Sequence, residues 1–342
     1  MKKNSLLLTL VCALAILPIL LSQCRSDENR ATREKEQPRQ LRHTYQQDLM
    51  GTRFFITLYT DDEKTADLAA KEAFQLAAKI NDSCSDYDVT SELMRLNADP
   101  SNQAIPISDL LFDVLNAALQ ISQQTHGAYD PTLGHHSYNW RMARKKGILP
   151  TPEKIAAAKA ARGWKNLQLD RNHQTVTKNI EDMRIDLGGI AKGYAAEKML
   201  QFLKTQGITR ASITAGGEVR LGDPPPDAKG WEITLKTLDT IHQLIPQTLT
   251  LSNCAISTSG DLHQSITIDG QRYSHICNPD TGLGLTTRIS ATVIGPNATI
   301  TDALATALCV NPQLQRPNIR TLIIQENSQG KLTKKQTSNW PR

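Results

Sequence analysis

In "TDALATAL", Asp302 and Thr306 stand four positions apart, so on a helix they share one face. A carboxylate and a hydroxyl are hard oxygen donors. With a backbone carbonyl they form the partial set that suits Mg²⁺, which keeps water and substrate oxygens as its other ligands. The same two residues also suit a capped helix with a core threonine. A second stretch, "RIDLGGIAKGYAAEKML", runs from Arg184 to Leu200. A β-like run, Met183 to Leu187, carries Asp186; Gly188 and Gly189 follow, and Lys192 stands in the first turn of a helix. Backbone N–H groups at such a turn, with one lysine, can hold phosphate. The stretch is neither G-x-G-x-x-G nor a Walker loop, and a tight strand-to-helix turn explains its glycines equally well.

Two further stretches carry groups of interest. In "ISTSGDLHQSITIDGQRYSHICNPDTGLG", His275 and Ile276 precede a turn over residues 278–282. A histidine there can serve as general base or simply cap the turn. Ser257 or Ser259 with His275 and Asp261 suggests a triad, but the G-x-S-x-G elbow is missing. "GAYDPTLG" places Ala128, Tyr129 and Asp130 in a turn whose surface suits a flat ring. Met50 in "DLMGTRF" and Tyr87 in "CSDYDVTSELMRLN" are other candidates for ring contact.

These groups need elements to hold them. "EKTADLAAKEAFQLAAKIND" repeats Ala66, Ala69, Ala73, Leu76 and Ile80 at helical spacing. "DLLFDVLNAALQISQQTHG" predicts a second helix ending at Gly127. "TPEKIAAAKAARG" predicts a third, with Thr151 as N-cap and Pro152 at the first helical position. A helix after Gly189 is expected to end at Gly207, and "DALATALCV" to form a helix capped by Thr301. Strand composition marks "RFFITLYT", residues 167–169 and 175–178, "TRASITA", "WEITLKTL", "LTLSNCAIST", "SITIDG", "ISATVIG" and "RTLIIQE". Strands in hairpin-like succession, with helices between them and no strict βαβ alternation, predict an α+β fold of mainly antiparallel sheets.

The chain has 342 residues and 39% apolar composition, enough for a real core. Net charge is +5, with basic residues dispersed and aromatics at 5%, so neither a basic stripe nor a stacking platform for nucleic acid is present. Lys2 and Lys3 precede an apolar run from Leu6 to Leu21 that contains Pro18. This is the pattern of an export signal, here expected over residues 1–23. Cys24 stands where a bacterial lipoprotein box places the lipidated residue, although Gln23 is larger than that box prefers. Residues 24–43 read as a charged tether, 44–330 as the folded domain and 331–342 as a polar tail. The expectation is an exported, lipid-anchored protein of the inner membrane, facing the periplasm. The six cysteines contain no C-x-x-C pair; Cys84, Cys254, Cys277 and Cys309 are expected mainly as buried free thiols.

In order along the chain, Met50-Gly51-Thr52, "SDYDVTSELMRLN", "GAYDPTLG", "IDLGGIAKGYAAE", "TAGGEVRLGD", "AISTSGD", "YSHICNPDTG" and "TDALATAL" resemble the signature blocks of the ApbE family, the FAD:protein FMN transferases. The resemblance covers about residues 48 to 310. It implies a single catalytic domain related to the T-fold. It also implies an Mg²⁺-dependent enzyme that splits FAD, attaches FMN to a Thr or Ser hydroxyl of an acceptor protein by a phosphoester bond, and releases AMP. Met50, Tyr87, Ala128, Tyr129, Asp130, Asp186, Lys192 and Ile276 would then border FAD. The Gly189 carbonyl, Asp302 and Thr306 would hold the metal, and His275 would be the base. The implied acceptors are membrane redox-pump subunits or exported reductases with a Ser/Thr motif. Two positions depart from some members: Ala305 where a second acid can stand, and Asn278 where Asp can stand beside the histidine. The same site with water as acceptor would be an FAD pyrophosphatase; without turnover it would be an exported FAD-binding lipoprotein.

Overall fold

The computed structural model describes residues 40–238, 244–261 and 265–341. The expected signal at 1–23, Cys24 and nearly all of the tether lie outside the described residues. Among the described residues no helix is long and apolar enough to cross a membrane.

The chain opens with β1 (Leu41–Leu49) and β2 (Thr52–Thr60), then α1 (Glu63–Cys84), α2 (Glu92–Ala98), β3 (Ala104–Pro106) and α3 (Asp109–Gln124). Next come α4 (Gly134–Lys146), α5 (Pro152–Ala160), β4 (Leu167–Asp170), β5 (Thr175–Lys178) and α6 (Ala191–Thr205). Then β6 (Ala211–Ala215), β7 (Glu218–Leu221), β8 (Trp231–Leu238), β9 (Leu244–Leu251), β10 (Ala255–Gly260), β11 (Ser265–Ile268) and β12 (Gln271–Ser274) follow. The chain closes with β13 (Ile289–Gly295), α7 (Ala298–Val310), β14 (Arg320–Glu326) and β15 (Leu332–Gln336). Eight strands form one antiparallel sheet in the order β1-β2-β6-β7-β10-β13-β14-β15. This is the expected α+β arrangement.

Strand alternation gives the sheet two apolar faces. Phe54, Ile56, Ile213, Ala255, Ala291, Val293 and Ile323 pack with α1, α6 and α7 in one core. Leu221, Ile256, Ile294, Leu322 and Ile324 point the other way and pack with Trp231 and Leu249 of the β8–β9 hairpin. Cys84, Cys254, Cys277 and Cys309 are free thiols.

Several elements differ from expectation. β1 starts at Leu41, ahead of residue 44, and pairs along its whole length with β2. Segment 331–342, read as a polar tail, carries the edge strand β15, and Trp340 is 5% exposed in the second core. Met183–Leu187 joins neither a sheet nor a helix. Its polar groups are met instead by the Asn97 side chain, which bonds both the N–H and the carbonyl of Ile185, and by Pro131, whose carbonyl accepts the Asp186 N–H. α7 begins at Ala298, before Thr301, because Asn297 caps it by accepting from the Ile300 N–H.

Candidate active site

Three elements bring the oxygen donors together. Asp302 and Thr306 lie one turn apart on α7, and the Gly188–Gly189 turn leads into α6. At Gly193, a Cβ would stand 2.3 Å from the Ala298 carbonyl oxygen and 2.6 Å from the Asp302 Cβ, so only glycine lets α6 and α7 cross this closely. The N-cap of α6, Ile190, has no capping side chain. Asp302 takes that role from the neighbouring helix: its Oδ2 accepts the Gly193 N–H at 2.8 Å. α7 receives the reciprocal service, since Glu197 Oε2 accepts the Ala298 N–H at 2.9 Å while Arg220 Nε donates to the same oxygen at 2.6 Å. Each helix start therefore meets a carboxylate, as its free N–H groups require. Ser259 of β10 bonds the Thr306 hydroxyl at 3.2 Å, and a Cβ on Gly189 would lie 3.4 Å from that hydroxyl.

These groups line a cleft of about 490 Å³. Asp186, Gly189, Lys192, Asp302 and Thr306 form one part of its wall; Tyr87, Ala128, Tyr129, Asp130, His275 and Ile276 also line it. Met50 does not. It sits in the β1–β2 turn with positive φ, packed against the core near the Gly216–Gly217 turn that reaches the cleft.

The wall is highly charged. Lys192 Nζ donates to the Gly188 carbonyl at 3.3 Å and lies 3.7 Å from Glu218 Oε2. Burial opposes its charge, but the carboxylates of Glu218, Asp302 and Asp186 outweigh burial and hold the ammonium above the ordinary lysine value. Burial pushes the Glu218 carboxyl up to about 8, with the neighbouring Asp302 adding to the rise and Lys192 opposing it. Tyr129 is fully buried, and its phenol is raised well above the usual value by burial and by Asp186 and Asp302. At the mouth, the Arg141 guanidinium stands 4.3 Å over the Tyr87 ring and pairs with Asp86. The Tyr87 ring stays 77% exposed.

His275 is half-buried on an arm running from Ser274 to Leu285. Trp140 Nε1 donates to the Ser274 carbonyl at 2.9 Å, and the Leu285 N–H donates to the Ile276 carbonyl at 2.9 Å. Asn278, at the departing position, accepts from the N–H groups of Asp280 and Thr281 and so closes the turn. Asp280 lies 3.8 Å from Arg162. The Ser-His-Asp reading does not assemble: Ser257 bonds Thr301, Ser259 bonds Thr306, and Asp261 pairs with Arg272.

Among the described residues no group of three or more His, Cys, Asp or Glu side chains gathers as a metal cage. One carboxylate, one hydroxyl and one carbonyl are an incomplete, all-oxygen set. Such a set fits a Mg²⁺ ion that relies on water and phosphate for its other ligands. Glu218 and Arg141 also line the cleft or its mouth and were not singled out from sequence. The signal for Glu218 was an acid directly after the Gly216–Gly217 pair at a strand start.

A family model described as "ApbE family" matches residues 50–322. The chain is 32% identical over 266 residues to the FAD:protein FMN transferase of Vibrio cholerae serotype O1, covering 76% of this chain and 79% of that one. It is 32% identical over 267 residues to the FAD:protein FMN transferase of Klebsiella pneumoniae strain 342, covering 76% of each. Among solved structures, the flavin transferase ApbE from Vibrio cholerae superposes with a TM-score of 0.78 at 29% identity, over 88% of this chain and 98% of that one. The ApbE protein of Thermotoga maritima superposes with a TM-score of 0.76 at 26% identity, over 88% and 98%. The sequence blocks, the sheet with its crossed helices and the oxygen-lined cleft thus meet in one assignment: the chain belongs to the ApbE family.

Proposed function

We propose that the protein is an FAD:protein FMN transferase that moves FMN from FAD to a Ser or Thr hydroxyl of an acceptor protein. The observation that carries this reading is one cleft lined by Lys192, Asp302, Thr306 and Gly189 together with His275. Asp302, Thr306 and the Gly189 carbonyl are the residues that would hold Mg²⁺. When bound, the ion supplies charge neutralisation at a pyrophosphate and orients its oxygens.

The chain's own residues account for the remaining steps. Lys192 offsets negative charge on the phosphates. Tyr87, with Arg141 behind it, offers an exposed ring face for stacking, and Tyr129 and Ile276 shape an apolar wall. The acceptor hydroxyl attacks the FMN-side phosphorus, and His275 takes its proton. The new O–P bond forms as the pyrophosphate P–O bond breaks, and AMP leaves with the bridging oxygen. In-line displacement of this kind draws most of its acceleration from positioning and charge stabilisation.

The acceptor is read as a membrane redox-pump subunit or an exported reductase carrying a Ser/Thr flavinylation motif. The n-region, apolar run and Cys24 support an exported lipoprotein of the inner membrane, facing the periplasm. The test is to incubate the protein with FAD, Mg²⁺ and an acceptor bearing such a motif, with and without EDTA. The reading expects one FMN added to the acceptor, with AMP released only when metal is present. Free FMN and AMP over an unmodified acceptor would establish a pyrophosphatase instead. Bound but intact FAD would leave a binding protein.

A further inference from the structure

We propose that Glu218 contributes a second carboxylate to the cation site formed by Asp302, Thr306 and the Gly189 carbonyl. The inference rests on the metal-dependent reading of the cleft and adds a residue to it.

Glu218 is the first residue of β7, set directly after the Gly216–Gly217 turn, and it lines the cleft. It is 3% exposed. Its Oε2 is buried and accepts no hydrogen bond among the described residues. The nearest cation, Lys192 Nζ, lies at 3.7 Å, too far for a hydrogen bond. A buried carboxylate oxygen left without a donor is costly, and natural structures rarely keep one without a use. The Asp302 carboxylate lies beside it.

The rest of the donor set makes the need for this oxygen plain. Asp302 is the only acid on α7, and its Oδ2 is already engaged by the Gly193 N–H. The helix thus offers a cation one carboxylate, half of it committed. Across the cleft wall, two adjacent carboxylates face a single lysine. Two adjacent acids beside one lysine suit a divalent cation, and Mg²⁺ sites use one or two carboxylates beside substrate phosphates. The rival role for Glu218 is to steer Lys192 alone. Their 3.7 Å separation, longer than a direct hydrogen bond, favours the cation.

The experiment titrates Mn²⁺ into the protein with FAD present and no acceptor, reading free Mn²⁺ by electron paramagnetic resonance. Flavin fluorescence in EDTA reports FAD affinity separately. Wild type, Glu218→Gln and Glu218→Asp are compared. Glu218→Gln is expected to weaken Mn²⁺ binding at least about tenfold while FAD affinity in EDTA stays at the wild-type value. Glu218→Asp, which keeps the charge on a shorter stem, is expected to lie between them and carries the test if Glu218→Gln fails to fold. Unchanged Mn²⁺ affinity in both variants overturns the inference. Unchanged Mn²⁺ affinity with weakened FAD binding in EDTA assigns Glu218 to Lys192 instead. Wild type that binds FAD but takes up no Mn²⁺ overturns the metal-dependent reading and this inference with it.

Discussion

His275 and Asp302 ask for different substitutions. His275 sits on the Ser274–Leu285 arm, which the buried Trp140 holds through the Ser274 carbonyl, so its imidazole can be removed without unfolding the arm. His275→Ala is expected to lower FMN transfer about 10²–10⁴-fold, the usual cost of a lost general base, with FAD affinity kept. Single-turnover labelling of an acceptor checks it; wild-type rates would remove His275 from the chemistry. Asp302→Asn retains an oxygen for the Gly193 N–H and so keeps the α6 start capped. The same assay should show a larger loss than His275→Ala, partly restored at high Mg²⁺. His136 carries a prediction about pH. It lies buried under the turn at Gly282, whose added Cβ would fall 2.6 Å from its Nδ1. Burial, then the charges of Arg162, His135 and Lys159, push its pKa down to about 4. The unfolded chain, with an ordinary value near 6.5, therefore binds more protons between these limits. Stability is full above about pH 6.5 and falls as pH drops toward 4, by up to about 3 kcal/mol. Urea midpoints at pH 7.5 and 5 should show this fall in wild type and a smaller one in His136→Gln.

At the scale of elements, the crossing of α6 and α7 decides whether the donors meet. Gly193→Ala would drive a methyl into the Ala298 carbonyl, which is backbone and cannot swing aside. It is expected to cost roughly 3 kcal/mol or more and to weaken metal-dependent transfer further, since it moves Asp302 relative to Gly189. A Gly193→Ala protein with wild-type melting and rate would refute the crossing argument. The alanine-rich helices that make this crossing were readable because their apolar face repeats at helical spacing. α4 was not. Its sequence, "GHHSYNWRMARKK", is polar nearly throughout, and its N-cap Leu133 makes no capping bond. α2 has only seven residues, too few for a period to show. The Met183–Leu187 stretch has strand composition, yet Asn97 supplies bonds that a neighbouring strand would otherwise give. The cleft itself was legible only as an ordered set of blocks, because the local patterns around Asp186, Lys192, His275, Asp302 and Thr306 each suit a plain turn, cap or core position equally well. Glu218 and Arg141 were missed because their meaning comes from neighbours distant in sequence, Asp302 and Tyr87.

On the scale of the molecule, the eight-stranded sheet separates chemistry from part of its support. α6 and α7, which carry the donors, cover one face; the β8–β9 hairpin and the C-terminal segment cover the other. Trp340 belongs to that second core with Leu322, Ile324 and Leu332, beside the edge strand β15. Its indole N–H is buried without a hydrogen-bond partner among the described residues. The residue therefore acts through packed volume alone. Trp340→Ala should cost about 3–5 kcal/mol, which in a domain of this size lowers the melting temperature by roughly 10 °C. Trp340→Phe keeps most of the apolar volume and loses only an unmet donor, so it should melt within a few degrees of wild type. Both variants should transfer FMN at the wild-type rate at 25 °C, because the sheet lies between Trp340 and the helices that hold the donors. Thermal melting followed by circular dichroism, with acceptor labelling at 25 °C, reads both quantities. A rate loss in folded Trp340→Ala would mean that the two faces are coupled through the sheet. An unchanged melting temperature would mean that the second core does not depend on its last tryptophan.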